Sequence, residues 1–249
     1  MANIVLAHGI FLRGNFPGFR NGFYFNGVAK RYRSKGHVVL EPTVAVLGSL
    51  ATRSAQLAQA IQAKWPGSEP VHIIAHSMGG LDARRVIELN EAIGQRVKTL
   101  ITISTPHLGS PVANALGLPR FMQSWVVSFF KRFAPAVEDL QIRTSLQNAD
   151  RPSVNYITIA CDRSLAGSGS PLFALTRYIG GLPRKESDGL VAFASASPAQ
   201  NLPNLVWPVD HGGAIGWPTG YGFLALLLAV VKPPADHLAR YEKLLDWLV

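Results

Sequence analysis

Short apolar runs alternate with helical patterns along the whole chain. Ile4 to Ala7, Val38 to Leu40, Val71 to Ala75, Val97 to Ile103, Val154 to Ala160 and Leu205 to Val209 are rich in β-branched residues and bounded by Gly, Pro, Asn or Ser. Such runs predict buried strands. Between them, residues 51–64 carry Leu57, Ala60, Ile61 and Lys64 at helical spacing, and Met78 to Asn90 predicts a helix that follows a strand without an intervening loop. Residues 236–248 predict a closing amphipathic helix with Leu238, Tyr241, Leu244, Leu245 and Leu248 on one face. Strands alternating with crossover helices give an α/β fold, a mostly parallel sheet with helices on both faces.

One stretch interrupts the alternation. From Pro111 to Pro152 no strand is predicted, and Phe121, Met122, Trp125, Val126, Phe129, Phe130 and Phe133 make a broad apolar helix face. An ordinary buried helix has this pattern, and so has a cap whose apolar underside faces a pocket. We take residues 111–152 as the expected lid or cap insertion of a single domain spanning residues 1–249.

Composition supports one folded domain. The chain has 249 residues, 48% of them apolar and 16% charged, within the range of a single α/β unit and far from the composition of disorder. The lone cysteine, Cys161, excludes an internal disulfide and a zinc site built on several thiolates. The longest apolar run, Phe223 to Val231, falls far short of the roughly 20 residues of a bilayer-spanning helix. Ile4-Val5-Leu6-Ala7 runs directly into His8-Gly9 with no cleavage pattern. The expectation is a protein that is cytoplasmic or exported without an N-terminal leader.

The net charge of +9 is uneven: residues 1–100 hold 12 basic and 5 acidic side chains. Arg13, Arg20, Lys30, Arg31, Arg33 and Lys35 form a cluster without an acidic residue. No zinc-finger spacing, basic-zipper pattern or aromatic RNA-binding signature accompanies it, so nucleic acid is not an expected partner. A solvated basic face explains the cluster, and attraction to an anionic lipid surface remains open.

The strongest chemical signal is Val71-His72-Ile73-Ile74-Ala75-His76-Ser77-Met78-Gly79-Gly80. A strand ends on a serine with small residues two positions to either side, and a helix begins at once. This is the pattern of a nucleophile elbow, whose sharp turn lifts the serine hydroxyl clear of the sheet. Its helix N-terminus favours negative charge developing nearby.

A serine nucleophile of this type is followed in the chain first by an acid and then by a histidine base. His8, His37 and His72 precede Ser77, and His76 adjoins it. His107 comes too early for an acid to precede it, in a Thr105-Pro106-His107 turn. His237 begins the closing helix, where a structural or solvent-facing role is expected. His211, between a strand end and Gly212-Gly213, is the candidate base. Asp139 and Asp150 fall in the interrupted region, and Asp210 adjoins the histidine it would have to orient. Glu138 and Glu186 also lie between the serine and His211, but the two serious candidates are Asp162, at the end of the strand Val154 to Ala160, and Asp188, before Gly189-Leu190-Val191. Oxyanion stabilisation requires two backbone N–H groups: Met78 after the serine supplies one, and Ile10 in Ala7-His8-Gly9-Ile10 the other.

The segments Ala7-His8-Gly9-Ile10, Arg53-Ser54-Ala55-Gln56-Leu57, Ala75 to Arg84, Ser104-Thr105-Pro106-His107-Leu108-Gly109-Ser110 and Ser187-Asp188-Gly189-Leu190-Val191 resemble the bacterial triacylglycerol lipases, the true lipases of the α/β-hydrolase fold. The resemblance covers most of residues 3–110 and returns from about Val154 to His211. It implies a serine carboxylester hydrolase acting on apolar acyl esters, with Ser77 as nucleophile, Asp188 as acid, His211 as base, and Ile10 and Met78 as oxyanion donors. It implies no cofactor. Many of these lipases hold a calcium ion through an aspartate soon after the histidine, but here Gly212-Gly213-Ala214-Ile215 follows and the next carboxylate is Asp236; no metal is expected.

Phe11, Phe16, Phe19, Phe23, Tyr24 and Phe25 crowd the 15 residues after the oxyanion segment. Such a loop suits an acyl-chain cleft, where each buried methylene contributes about 0.8 kcal/mol, and favours a lipidic ester as substrate. Other acyl hydrolases of the same fold (a polyhydroxyalkanoate depolymerase, a thioesterase or a short-chain esterase) remain as alternatives, with a non-catalytic lipid- or partner-binding module behind them.

Overall fold

The computed structural model describes residues 1–10, 24–111, 150–162, 186–198, 205–216 and 235–248, with a few single positions between 136 and 181. The expected lid at 111–152 and the aromatic loop up to Phe23 lie outside these residues, apart from their margins.

Six strands form one sheet in the order β2-β1-β3-β4-β5-β6, and every neighbouring pair is parallel. They are β1 (Asn3–Ala7), β2 (Val38–Leu40), β3 (Val71–His76), β4 (Val97–Ile103), β5 (Asn155–Cys161) and β6 (Leu205–Trp207). β6 stops two residues before its apolar run does. Pro208 offers no N–H to a ladder, and the Val209 N–H turns back to the Trp207 carbonyl at 2.8 Å.

Helices cover both faces: α1 (Val28–Ser34), α2 (Leu50–Lys64), α3 (Met78–Leu89), the single turns α4 (Glu91–Gly94) and α5 (Phe193–Ala196), and α6 (Ala235–Leu244). α6 tightens into a 3-10 turn at Leu245–Trp247, so the closing helix is less regular than its sequence pattern predicts. Side-chain alternation along β1 explains the layering. Ile4 and Leu6 join Val28, Tyr32, Tyr241 and Leu244 in one core beneath α1 and α6. Val5 and Ala7 join Leu57, Ile61, Ala83 and Val86 in the other, beneath α2 and α3.

Sequence periodicity did not isolate α1, although Val28, Ala29 and Tyr32 are its buried positions. The Tyr32 hydroxyl donates to the Tyr241 carbonyl at 2.6 Å and ties α1 to α6. On its outer side Arg31 and Lys35 pair with Glu242, and Arg33 pairs with Glu41. Part of the early basic cluster is therefore charge-compensated. Among the described residues no helix is long and apolar enough to cross a membrane.

Candidate active site

The carboxyl ends of β1, β3, β5 and β6 bring the candidate residues to one edge of the sheet, where open parallel sheets commonly hold their ligands. Ser77 sits between β3 and α3 with φ 57° and ψ −133°. A non-glycine residue seldom tolerates this backbone, and such strain concentrates at functional turns. Three hydrogen bonds hold it. The Ser77 N–H donates to the Ile103 carbonyl at 2.9 Å, and the Ser77 carbonyl accepts from the Gly80 N–H at 3.1 Å and from the Thr105 hydroxyl at 2.9 Å. A side chain at Gly79 would collide with the Ala7 carbonyl and come within 2.8 Å of the His8 oxygen. The elbow therefore closes onto the oxyanion segment only with glycine there. Met78, the first residue of α3, is fully buried.

His211 follows β6 and is buried. Its Nδ1–H donates to Asp188 Oδ2 at 2.7 Å, and its backbone N–H donates to the Asp188 carbonyl at 3.1 Å. Asp188 is 1% exposed, and its Oδ1 accepts from the N–H groups of Leu190 at 2.8 Å and Val191 at 2.7 Å. The carboxylate is thus fixed by its own turn, which the Ser187–Ala192 bridge closes. Thr105 to Ser110 brace this turn. The Ser110 hydroxyl donates to the Leu190 carbonyl at 2.6 Å, and the Ser195 hydroxyl donates to the Gly109 carbonyl at 2.6 Å.

Asp162, the other acid candidate, directly follows β5, where its N–H donates to the Trp207 carbonyl at 2.9 Å. The remaining acids have structural partners. Asp139 accepts from the Leu50 N–H at the start of α2, Asp150 pairs with Arg84, and Asp210 Oδ1 accepts from the Gly213 N–H at 2.7 Å. Asp236 pairs with Arg240. Among the described residues no cluster of three or more His, Cys, Asp or Glu side chains is placed to hold a metal ion.

The segment expected to supply an oxyanion donor, Ala7 to Ile10, is held from several directions. The Gly9 carbonyl accepts from His8 Nδ1–H at 2.8 Å, while His8 Nε2 accepts from the Val44 N–H at 3.3 Å, which sets the His8 tautomer. Arg53 Nη2 donates to the His8 carbonyl at 2.8 Å and to Asp82 Oδ2 at 2.6 Å, and its Nη1 donates to the Ala45 carbonyl at 2.9 Å. Burial pushes the Asp82 carboxyl up to about 6, against the downward pull of the Arg53 guanidinium.

Two further residues lie against these groups, Tyr24, expected only as one of the loop aromatics, and His76, expected only as the neighbour of Ser77. The Gly9 N–H donates to the Tyr24 hydroxyl at 2.9 Å, and that hydroxyl shares a hydrogen bond with His76 Nδ1 at 2.8 Å. His76 lies against His211, with ring centroids 4.5 Å apart. Burial and then the neighbouring charge of His211 push His76 well below its usual pKa, against a smaller upward pull from the His211 backbone. Tyr24 is 52 residues from His76 in the chain, and no local pattern announces their contact. His237 is fully buried, its Nε2 bonded to the Asn26 carbonyl at 2.9 Å. It has the structural role of the two expected and not the solvent-facing one.

Residues 42–158 match the family described as PGAP1-like alpha/beta domain. Triacylglycerol lipase 2 of Saccharomyces cerevisiae is 37% identical over 97 residues, which is 36% of this chain and 30% of the yeast protein. A triacylglycerol lipase of Pseudomonas fragi is 28% identical over 117 residues, 46% of this chain and 38% of that one. The matches thus span about a third of either relative. A mature lipase of Bacillus licheniformis superposes with a TM-score of 0.61 at 22% identity, covering 85% of both chains. The chain has the α/β-hydrolase fold; across residues 42–158 it is similar to the PGAP1-like alpha/beta domain, and triacylglycerol lipases are among its homologues.

Proposed function

We propose that this protein is a serine carboxylester hydrolase that cleaves apolar acyl esters such as triacylglycerols. The observation that carries the reading is the 2.7 Å hydrogen bond from His211 Nδ1 to Asp188, made at the same sheet edge as the strained elbow of Ser77. His211 takes the Ser77 proton as the serine oxygen attacks the ester carbonyl, and Asp188 holds the imidazole in the tautomer that leaves Nε2 basic. The N–H groups of Ile10 and Met78 receive the oxyanion. Collapse of that intermediate releases the alcohol, which takes the proton from His211. Water, deprotonated by the same histidine, then frees the acid and restores the serine.

The lipase relatives support lipid esters as the substrate class. Ser77→Ala tests the proposal: hydrolysis of a nitrophenyl ester falls to background while the thermal melt is retained. Substantial turnover in that variant excludes Ser77 as nucleophile.

A further inference from the structure

Two groups from distant parts of the chain meet at the Tyr24 hydroxyl. It accepts from the Gly9 N–H in the candidate oxyanion loop and shares a hydrogen bond with His76 Nδ1 at the last position of β3, and the His76 ring in turn packs on His211. An amide N–H can only donate, so the phenol oxygen accepts it; the same hydroxyl and His76 Nδ1 share a second hydrogen bond, whose direction follows the His76 tautomer.

Gly9 is held on both sides: Tyr24 takes its N–H, in the His8–Gly9 peptide, and His8 holds its carbonyl, in the Gly9–Ile10 peptide, so only the two backbone torsions of Gly9 separate the Tyr24 anchor from the Ile10 N–H. Across a trans peptide the carbonyl oxygen and the following N–H point in opposite directions, and the described residues contain no cis peptide. With the Gly9 carbonyl turned to the His8 ring, the Ile10 N–H points away from that ring. Space confirms how closely these groups are set, since a Cβ at Gly9 would lie 2.7 Å from Ser77 Cβ and 2.8 Å from the Tyr24 oxygen.

We propose that Tyr24 is a positioning residue: by bridging the Gly9 N–H and His76 Nδ1, its hydroxyl aims the Ile10 N–H at the developing oxyanion and seats the His76 ring against His211. This rests on the hydrolase reading above. Without the hydroxyl, Gly9 loses its anchor and His76 a buried hydrogen bond, so two elements of the reaction loosen together while the substrate-binding surface is unchanged. A donor misplaced by a fraction of an ångström still binds the ground state and fails in the transition state.

The test measures kcat and KM of the full chain on soluble nitrophenyl butyrate for the unmodified protein, Ser77→Ala, Tyr24→Phe, His76→Leu, His76→Asn and the Tyr24→Phe/His76→Leu pair, with thermal melts of each. Tyr24→Phe should lower kcat about tenfold or more, since outright loss of an oxyanion donor costs about a hundredfold to a thousandfold, and should leave KM nearly unchanged. His76→Leu should behave alike, and the double variant should be no worse than the poorer single. His76→Asn, whose Oδ1 stands near the position of Nδ1, should recover most of the kcat lost in His76→Leu. Should Tyr24→Phe fail to fold, the contrast between His76→Leu and His76→Asn decides the matter. An unchanged kcat in Tyr24→Phe, a loss seen in KM alone, or effects that multiply in the double variant overturn the proposal while Ser77-dependent turnover stands. Absence of Ser77-dependent turnover in the unmodified chain overturns the hydrolase reading itself, and this role with it.

Discussion

Asp188 and His211 are joined twice, by the imidazole Nδ1–H to the carboxylate at 2.7 Å and by the His211 N–H to the Asp188 carbonyl at 3.1 Å. The backbone link fixes the separation of the two loops, and the side-chain link fixes the ring. Asp188→Asn should therefore leave the fold intact and present the wrong partner to Nδ1, with a loss in kcat of about 10⁴-fold. Asp162→Asn should cost far less. Steady-state kinetics of the two variants on one ester checks this, and a larger loss in Asp162→Asn contradicts the choice of acid.

Arg53 and Asp82 are both fully buried and close on each other through three contacts between 2.6 and 3.2 Å. Removing one partner strands the other charge in the core. Asp82→Asn should destabilise the protein by about 3 kcal/mol or more in urea unfolding. The guanidinium also holds the His8 carbonyl, so Arg53→Met should lose activity even below its melting temperature.

Gly79 lets α3 approach β1 so closely that a methyl group meets the backbone of Ala7 and His8. Backbone cannot swing aside as a flexible side chain can. Gly79→Ala should cost about 1–3 kcal/mol in stability and depress turnover further by prising the oxyanion segment from the elbow. A variant with unaltered melt and kcat speaks against this packing.

His76 and His107 are buried neutral, and burial pushes both well below the usual histidine range; the charge of Arg84 adds to the effect at His107. The unfolded chain thus binds more protons than the native one as pH falls below about 6.5, and stability rises with pH across that window. The contribution is complete above the unfolded value and is lost progressively on acidification toward the depressed folded values. Urea midpoints measured from pH 8 to pH 5 should fall, and His107→Gln should make the slope shallower. An identical slope in that variant removes His107 from the account.

The legible parts of this protein are those where chemistry and local pattern coincide. Among the described residues each of the six strands lies within two residues of its apolar run, because the sheet is buried on both faces over most of its length and the runs are rich in β-branched side chains. Ser77 was legible because an elbow requires small neighbours at fixed offsets. Between Asp162 and Asp188, strand-end logic alone favours Asp162; only the resemblance carried by Ser187 to Val191 points to Asp188. The turn that presents Asp188 is held by its own backbone and by Ser110 and Ser195, contacts 80 or more residues apart in the chain. Tyr24, His76 and the carbonyl-holding role of Arg53 were hidden for the same reason: each acts across the sheet edge on a residue far away in sequence.

The most direct measurement is mass-spectrometric mapping of the adduct formed by a fluorophosphonate, which reacts only with a serine activated by its base and oxyanion donors. The account predicts a single adduct on the peptide containing Ser77, absent in Ser77→Ala and formed much more slowly in Asp188→Asn and His211→Ala. Labelling of another residue, or none at all in the unmodified chain, contradicts it.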